Sequence, residues 1–231
     1  MKIRPILFST PMVEAILNGR KTQTRRIIKP HPEWKEPFWL YGGTIWHINN
    51  IPNTSGQGFQ QNMKIKQGDI LWVRETFCEA GNFASEQLAN SEVIAYKTRE
   101  AFFYNNGRKL DTEFWNWDKL KWKPSIFMPK AVCRLFLEVT NVRVERLRDI
   151  SEEDANSEGI YAKPGSVSGA VWYEKFIKAR EARIEGLFTE SAKECFQTLW
   201  QSINGKESWE ANPFVFVYNF KQVERPTNFL L

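Results

Sequence analysis

A mixed α+β fold, in which short strands close into a small β-barrel with a few peripheral helices, is the class this sequence predicts. Three observations point there. Apolar and β-branched runs recur at ILWVRETF (70–77), VIAYKT (93–98), AVCRLFLEVTNVRVERL (131–147) and FVFVYNF (214–220). Helical spacing is confined to a few short segments. No repeat or low-complexity tract interrupts this order, and many short strands without a repeat suit a barrel that removes its own edges. A chain of 231 residues buries one good core, so a single domain with insertions is expected over 1–231.

Taken in order, RPILF (4–8) reads as a first strand. Thr10 followed by Pro11 predicts a helix start, because a hydroxyl caps free N–H groups and proline suits the first turn. Met12, Ala15 and Ile16 give that helix one apolar face, and Gly19 stops it, so Arg20–Ile28 begins a new element. Residues 30–67 hold four prolines, four glycines and three tryptophans without a sustained period, and read as a long inserted excursion. Gly68-Asp69 then introduces the ILWVRETF strand, and VIAYKT makes another.

Between 101 and 123, Phe102, Phe103, Tyr104, Trp115, Trp117 and Trp122 interleave with Arg108, Lys109, Lys119, Lys121 and Lys123. An aromatic mini-core beneath a loop is the favoured reading of this Trp-rich insertion, with a base-stacking surface as the other. The 131–147 segment predicts one long bent strand or two strands with a bulge. Ser151 starts a short helix, with Asp154 at its third position, Ile150 as an apolar staple and Gly159 as its stop. Residues 171–185 read as a charged helix. From Thr189, the positions Ala192, Cys195, Phe196, Leu199, Trp200 and Ile203 keep helical spacing until Gly205, and Phe214–Phe220 forms a final strand.

Composition removes several chemistries. No run of 18 or more apolar residues occurs, and Pro5, Ser9, Pro11 and Glu14 break up the N-terminal apolar run. Neither a membrane span nor a secretory signal is predicted, which places the protein in the cytoplasm. Cys78, Cys133 and Cys195 lie more than fifty residues apart, and His31 and His47 both fall in loop-like sequence. A zinc finger, a multi-histidine metal site and a Ser-His-Asp triad are therefore not expected, and no metal or cofactor is implied.

The net charge of +5 is unevenly placed. Residues 1–29 carry seven basic side chains against Glu14, a local charge of +6, whereas the rest of the chain holds 25 basic and 26 acidic groups. An anionic partner near 19–29 is one reading of this excess. The other pairs these cations with the acidic stretch Glu145–Glu158, which has six carboxylates against two arginines.

Within the GRKTQTRR segment, Lys21 and Thr24 are separated by an odd offset, so a regular strand would send them to opposite faces. A turn or bulge is needed to bring them together. In the second candidate strand, Leu71, Val73 and Glu75 share one face. Glu75 therefore continues an apolar face, looks inward and needs a cationic partner, for which Lys21 is the candidate.

The order STPM, ILNGRKTQTRR, QGDILWVRETF, KPSIFMP, VERLRDISEEDANSEGI and LWQSINGKESWEANPFVFVYNF resembles the ASCH-domain family, and specifically its phage or prophage branch. The likeness covers nearly the whole chain. It implies a PUA-like β-barrel with a cleft for RNA or a modified nucleoside. Small bacterial members of that family hydrolyse the amide of N4-acetylcytidine without metal, using a lysine, a threonine three residues later and a glutamate on the next conserved strand.

Lys21, Thr24 and Glu75 stand at the matching positions, which implies threonine attack, lysine as base and glutamate orienting the lysine. A threonine hydroxyl is a weak nucleophile and needs a neutral amine beside it. Arg20, Arg25, Arg26 and Arg74 are the expected nucleic-acid contacts. Two other classes accompany this reading: a nucleic-acid-binding module without turnover, and a phage structural or assembly protein that associates through its Trp-rich surface.

Overall fold

The computed structural model describes residues 1–28, 64–81, 93–103, 107–113, 115–160, 162–164, 171–174, 188–189 and 191–229. The chain is mixed α+β and divides into two compact units, each assembled from separate stretches of sequence. The first comprises Met1–Asn18, Gly68–Glu138 and Lys221–Leu231; the second comprises Gly19–Gln67 and Val139–Phe220.

In the first unit, β1 (Ile3–Leu7) runs parallel to β3 (Ile70–Arg74), which pairs antiparallel with the start of β7 (Phe136–Arg146). Between β1 and β3 in sequence lies α1 (Thr10–Leu17), which buries Val13, Ala15 and Ile16. Its cap is Ser9 rather than Thr10: Ser9 keeps an extended backbone, so the helix already begins at Thr10 with Pro11 in its first turn. Gly19 follows the helix with φ +69, a left-handed geometry that a Cβ would strain. The expected 70–77 strand ends at Arg74 and resumes as β4 (Phe77–Glu79), which pairs with β5 (Val93–Tyr96) and through it with β6 (Glu100–Phe103).

Two apolar clusters support these sheets. Trp72, Phe77, Met128, Phe136 and Phe229 form one, in which the rings of Phe136 and Phe229 meet edge to face at 4.7 Å. The other gathers Cys78, Val93, Ala95, Ala101 and Leu120 beneath Phe103, Trp115, Trp117 and Trp122. The Trp-rich segment is thus an aromatic mini-core. Trp117 and Trp122 stack within it at 6.2 Å, with the Lys97 ammonium 4.6 Å from the Trp122 ring.

In the second unit, β2 (Gln23–Ile27) pairs antiparallel with β11 (Phe214–Val223). The short helix α2 (Glu152–Ser157) is capped as expected, the Ser151 hydroxyl accepting from the Asp154 N–H at 3.1 Å. The amphipathic α3 (Ala192–Asn204) follows, then α4 (Lys206–Glu210). Ala192, Cys195, Phe196 and Trp200 of α3 pack with Trp209, Val215 and Val217. Val171–Glu174 is a strand, β9, where a helix was expected; it lies between β8 (Ala162–Pro164) and β10 (Phe188–Thr189). Val171 and Tyr173 suit a strand better than a charged helix, and the β-branched and aromatic propensity prevails there.

Among the described residues the strands do not close into a barrel. In the first unit β1, β3 and the start of β7 follow one another in open order, in the second β11 pairs with β2, and the remaining strands make two three-stranded sheets, β4-β5-β6 and β10-β9-β8. Pro5 in β1 removes a ladder donor, which fits the edge position that β1 occupies. The 30–67 excursion falls almost wholly outside the described residues, as do His31, His47, Tyr104 and residues 175–185. Cys78, Cys133 and Cys195 are buried, and none of them is in a disulfide.

Candidate functional site

The site in the second unit grows from the junction of β2 with α2. Thr22 N–H donates to the Ser157 carbonyl at 2.9 Å, and Lys21 forms an isolated antiparallel bridge with Glu158 just beyond the helix. Gly159, with φ +94, turns the chain after that contact. The bridge sets the Lys21 amine against Glu158: Nζ donates to its Oε2 at 2.6 Å and to its main-chain carbonyl at 2.9 Å. Lys21 therefore precedes the regular strand, which begins at Gln23.

Arg25 shares the same carboxylate. Its Nη1 donates to Glu158 Oε1 at 3.1 Å, and its Nη2 to Glu145 at 2.5 Å and Asp154 at 2.8 Å. Arg143 completes the network, donating to Glu145 at 3.0 Å, Asp154 at 2.6 Å, Gln23 Oε1 at 3.1 Å and Asn219 Oδ1 at 2.9 Å. Lys21, Arg25 and Arg143 thus meet Glu145, Asp154 and Glu158. Such a set adds little net stability over an apolar core, but removing one member leaves an uncompensated buried charge.

Burial governs the proton affinities here. Desolvation depresses the Lys21 pKa, with help from Arg26 and Arg25, and this outweighs the opposing pull of Glu158. Burial opposes ionisation of Asp154, but Arg143 and Arg25 overcome it and hold its carboxyl below the usual range. Two donors in the network, Gln23 Nε2 and Arg25 Nε, are buried without a hydrogen-bond partner.

The other expected contacts in this unit differ in accessibility. Arg25 is a fully buried cation already matched by three acids, the pairing with Glu145–Glu158 that charge distribution offered as the alternative. Arg26 is exposed, and Arg20 is half-buried with Nη1 donating to the Gly159 carbonyl at 3.4 Å. Thr24 is buried in β2, opposite Tyr218 of β11.

Glu75 and Arg74 belong to the first unit. Glu75 looks inward, as its place in the alternation predicts, but its partner is Arg134 in place of the expected Lys21. Arg134 Nε donates to Oε1 at 3.0 Å and Nη2 to Oε2 at 2.9 Å, a bidentate pair. The same guanidinium donates to Thr98 Oγ1 at 2.7 Å and to Glu100, and lies 4.0 Å from the Tyr96 ring centre. Burial pushes the Glu75 carboxyl up, against the lowering influence of Arg134. Arg74 donates to the Ile126 carbonyl and covers the Trp72 ring at 5.5 Å.

A cavity of about 430 Å³ in this unit is lined by Tyr96, Phe102, Phe136 and Cys133, but its inner polar groups, Glu100 and Arg134, already bind each other. Among the described residues, no three His, Cys, Asp or Glu side chains converge as metal ligands, and no helix is long and apolar enough to cross a membrane.

Sequence reasoning missed Glu158, Arg143, Arg134 and Tyr218 as named partners. The SEEDANSEGI run signalled the first, since a dense acidic stretch must answer the basic 19–29 segment. Nothing in local spacing signalled the others. Compared with protein-family models, curated proteins and solved structures, the chain matches none.

Proposed function

We propose that this chain is an ASCH-type protein of PUA-like ancestry that binds RNA or a modified nucleoside in the cytoplasm and hydrolyses the amide of an N4-acylated cytidine. The observation that carries the reading is the buried Lys21 amine, whose desolvation favours the neutral form a general base requires. Thr24 is the nucleophile. Lys21 takes its proton, and Glu158 orients the amine in the way that the family resemblance implies for Glu75. Arg26 and Arg20 supply the anion contacts. Support comes from the GRKTQTRR and GDILWVRE motifs together with this burial.

A second reading, binding without turnover, draws on the 2.6 Å contact between Lys21 and Glu158, since a firmly held ion pair keeps the amine protonated. Release of cytidine from N4-acetylcytidine, followed by chromatography, separates the two. Turnover by wild type that disappears in Thr24→Ala with its melting temperature retained, and in Lys21→Ala assayed well below its lowered melting temperature, is the expected result. Absence of turnover in wild type overturns the hydrolase and leaves the binding module.

A further inference from the structure

The cavity of about 430 Å³ in the first unit falls within the range of about 300–1,000 Å³ typical of small-ligand sites. All of its lining belongs to that unit. Strands supply most of the wall: Ile94 and Tyr96 come from β5, Phe102 and Phe103 from β6, and Phe136 from β7. Ile94 and Phe102 are directly opposite in the β5–β6 register, and Tyr96, two residues on, continues the same face. The rings of Tyr96 and Phe102 meet edge to face at 6.0 Å.

Five polar side chains line this cavity, and four of them are already matched. The Tyr96 hydroxyl donates to the Val132 carbonyl, and the Cys133 thiol lies 3.5 and 3.4 Å from the Val73 and Leu135 carbonyls. Arg134 is held by Glu75, Thr98 and Glu100, and Glu100 also accepts from Lys109 at 2.6 Å. Arg134 and Lys109 thus balance Glu75 and Glu100. The fifth is Arg225. It is exposed, its guanidinium lies 5.3 Å from the Phe229 ring, and among the described residues it pairs with no carboxylate. Its charge reaches the cavity wall: burial pushes the Tyr96 phenol and the Cys133 thiol up, and Arg225 is among the groups that pull both the other way.

We propose that this cavity is a binding site for an aromatic carboxylate, with the ring against the walls of Phe102, Phe103 and Phe136 and the carboxylate on Arg225. Three features select that chemistry. Aromatic walls favour a flat apolar ring, which they meet offset or edge to face. One uncompensated guanidinium calls for a single negative charge, and its planar fork matches a carboxylate with two parallel hydrogen bonds. The other lining polar groups are satisfied within the protein, so a ring rich in donors and acceptors would be desolvated there with few partners. The site is separate from Lys21 and Thr24, and the inference stands whether or not the hydrolase reading does.

Calorimetric titration of the full chain with 2-naphthoate and with its uncharged counterpart 2-naphthamide tests this. Wild type is expected to bind the carboxylate about tenfold more tightly than the amide, the worth of one charge-assisted contact. Arg225→Gln removes an exposed cation that braces no carboxylate, so the fold is retained, and it should bring naphthoate down to the affinity of the amide. Phe102→Leu keeps the wall apolar but removes a ring, and should weaken both probes while leaving their ratio unchanged. Melting temperatures taken without probe confirm that each variant is folded. No naphthoate binding below about 1 mM, equal affinity for the two probes in wild type, or a preference that survives Arg225→Gln overturns the proposal. Unchanged affinity for both probes in Phe102→Leu places the ring outside this cavity and overturns it too.

Discussion

Each unit buries an ion pair of its own, and the two differ in what they can do. In the second unit a lysine meets a glutamate at 2.6 Å, and burial draws the lysine below its ordinary proton affinity. In the first unit an arginine grips a glutamate with two parallel bonds, and Glu75 with Glu100 drives its pKa further above the ordinary value, against the effect of burial. An ammonium on a flexible stem can surrender its proton when desolvated, whereas a guanidinium stays charged in proteins. By this contrast Lys21–Glu158 is the pair able to exchange a proton, and Glu75–Arg134 is a fixed cross-brace.

The largest effect comes from breaking the brace. Arg134→Ala abandons a buried carboxylate and is expected to cost about 3–5 kcal/mol, read as a fall of about 2–4 °C in Tm per kcal/mol. Loss below about 1 kcal/mol, the ceiling of ordinary surface pairs, would remove Glu75–Arg134 from the structural role. Glu158→Gln should cost nearly as much, about 3 kcal/mol, because Lys21 and Arg25 lose one shared carboxylate. Urea denaturation midpoints would show whether Lys21→Met added to Glu158→Gln restores part of that loss, the sign of a coupled pair.

Proton linkage sharpens the distinction further. A lysine whose folded pKa lies below 10.5 binds fewer protons folded than unfolded across that window, so its contribution to stability rises with pH up to 10.5. Glu75 acts in the opposite direction. Its raised pKa means the folded state holds the proton longer, so stability is lost as pH climbs from 4.5 through the folded value. Urea titrations should show the alkaline gain vanish in Lys21→Met and the acid-side decline vanish in Glu75→Gln.

The smallest effect concerns nucleic acid. Arg26→Ala should shallow the salt dependence of RNA binding by about 0.7–0.9 in log–log slope, as expected for one lost phosphate contact. Arg25→Ala should act on stability instead. Equal slopes for Arg26→Ala and wild type would take Arg26 out of the interface.

What the sequence made legible was chiefly local. The Ser151 cap, the apolar stripe of α3 and the Phe214–Phe220 strand follow from spacing within a dozen residues; the structure forms the cap, buries the stripe's Ala192, Cys195, Phe196 and Trp200 while leaving Ile203 exposed, and extends the strand to Val223. Inward-facing Glu75 was legible from alternation in ILWVRE. Its partner was not, because Arg134 lies 59 residues away and register across a sheet leaves no trace in local spacing. Lys21 illustrates the same limit, since its carboxylate comes from position 158 across a single bridge. At Val171–Glu174, a charged flank suggested a helix where strand propensity prevailed.

The three buried thiols form a set of internal clocks. Cys78 and Cys133 sit in the first unit and Cys195 in the second, and burial raises the first two, Cys133 to about 12. The thiolate is the nucleophile that attacks a disulfide reagent, so each buried sulfur reacts only when its surroundings open. Mass-resolved labelling over time would then report the opening of each unit separately, with no added probe.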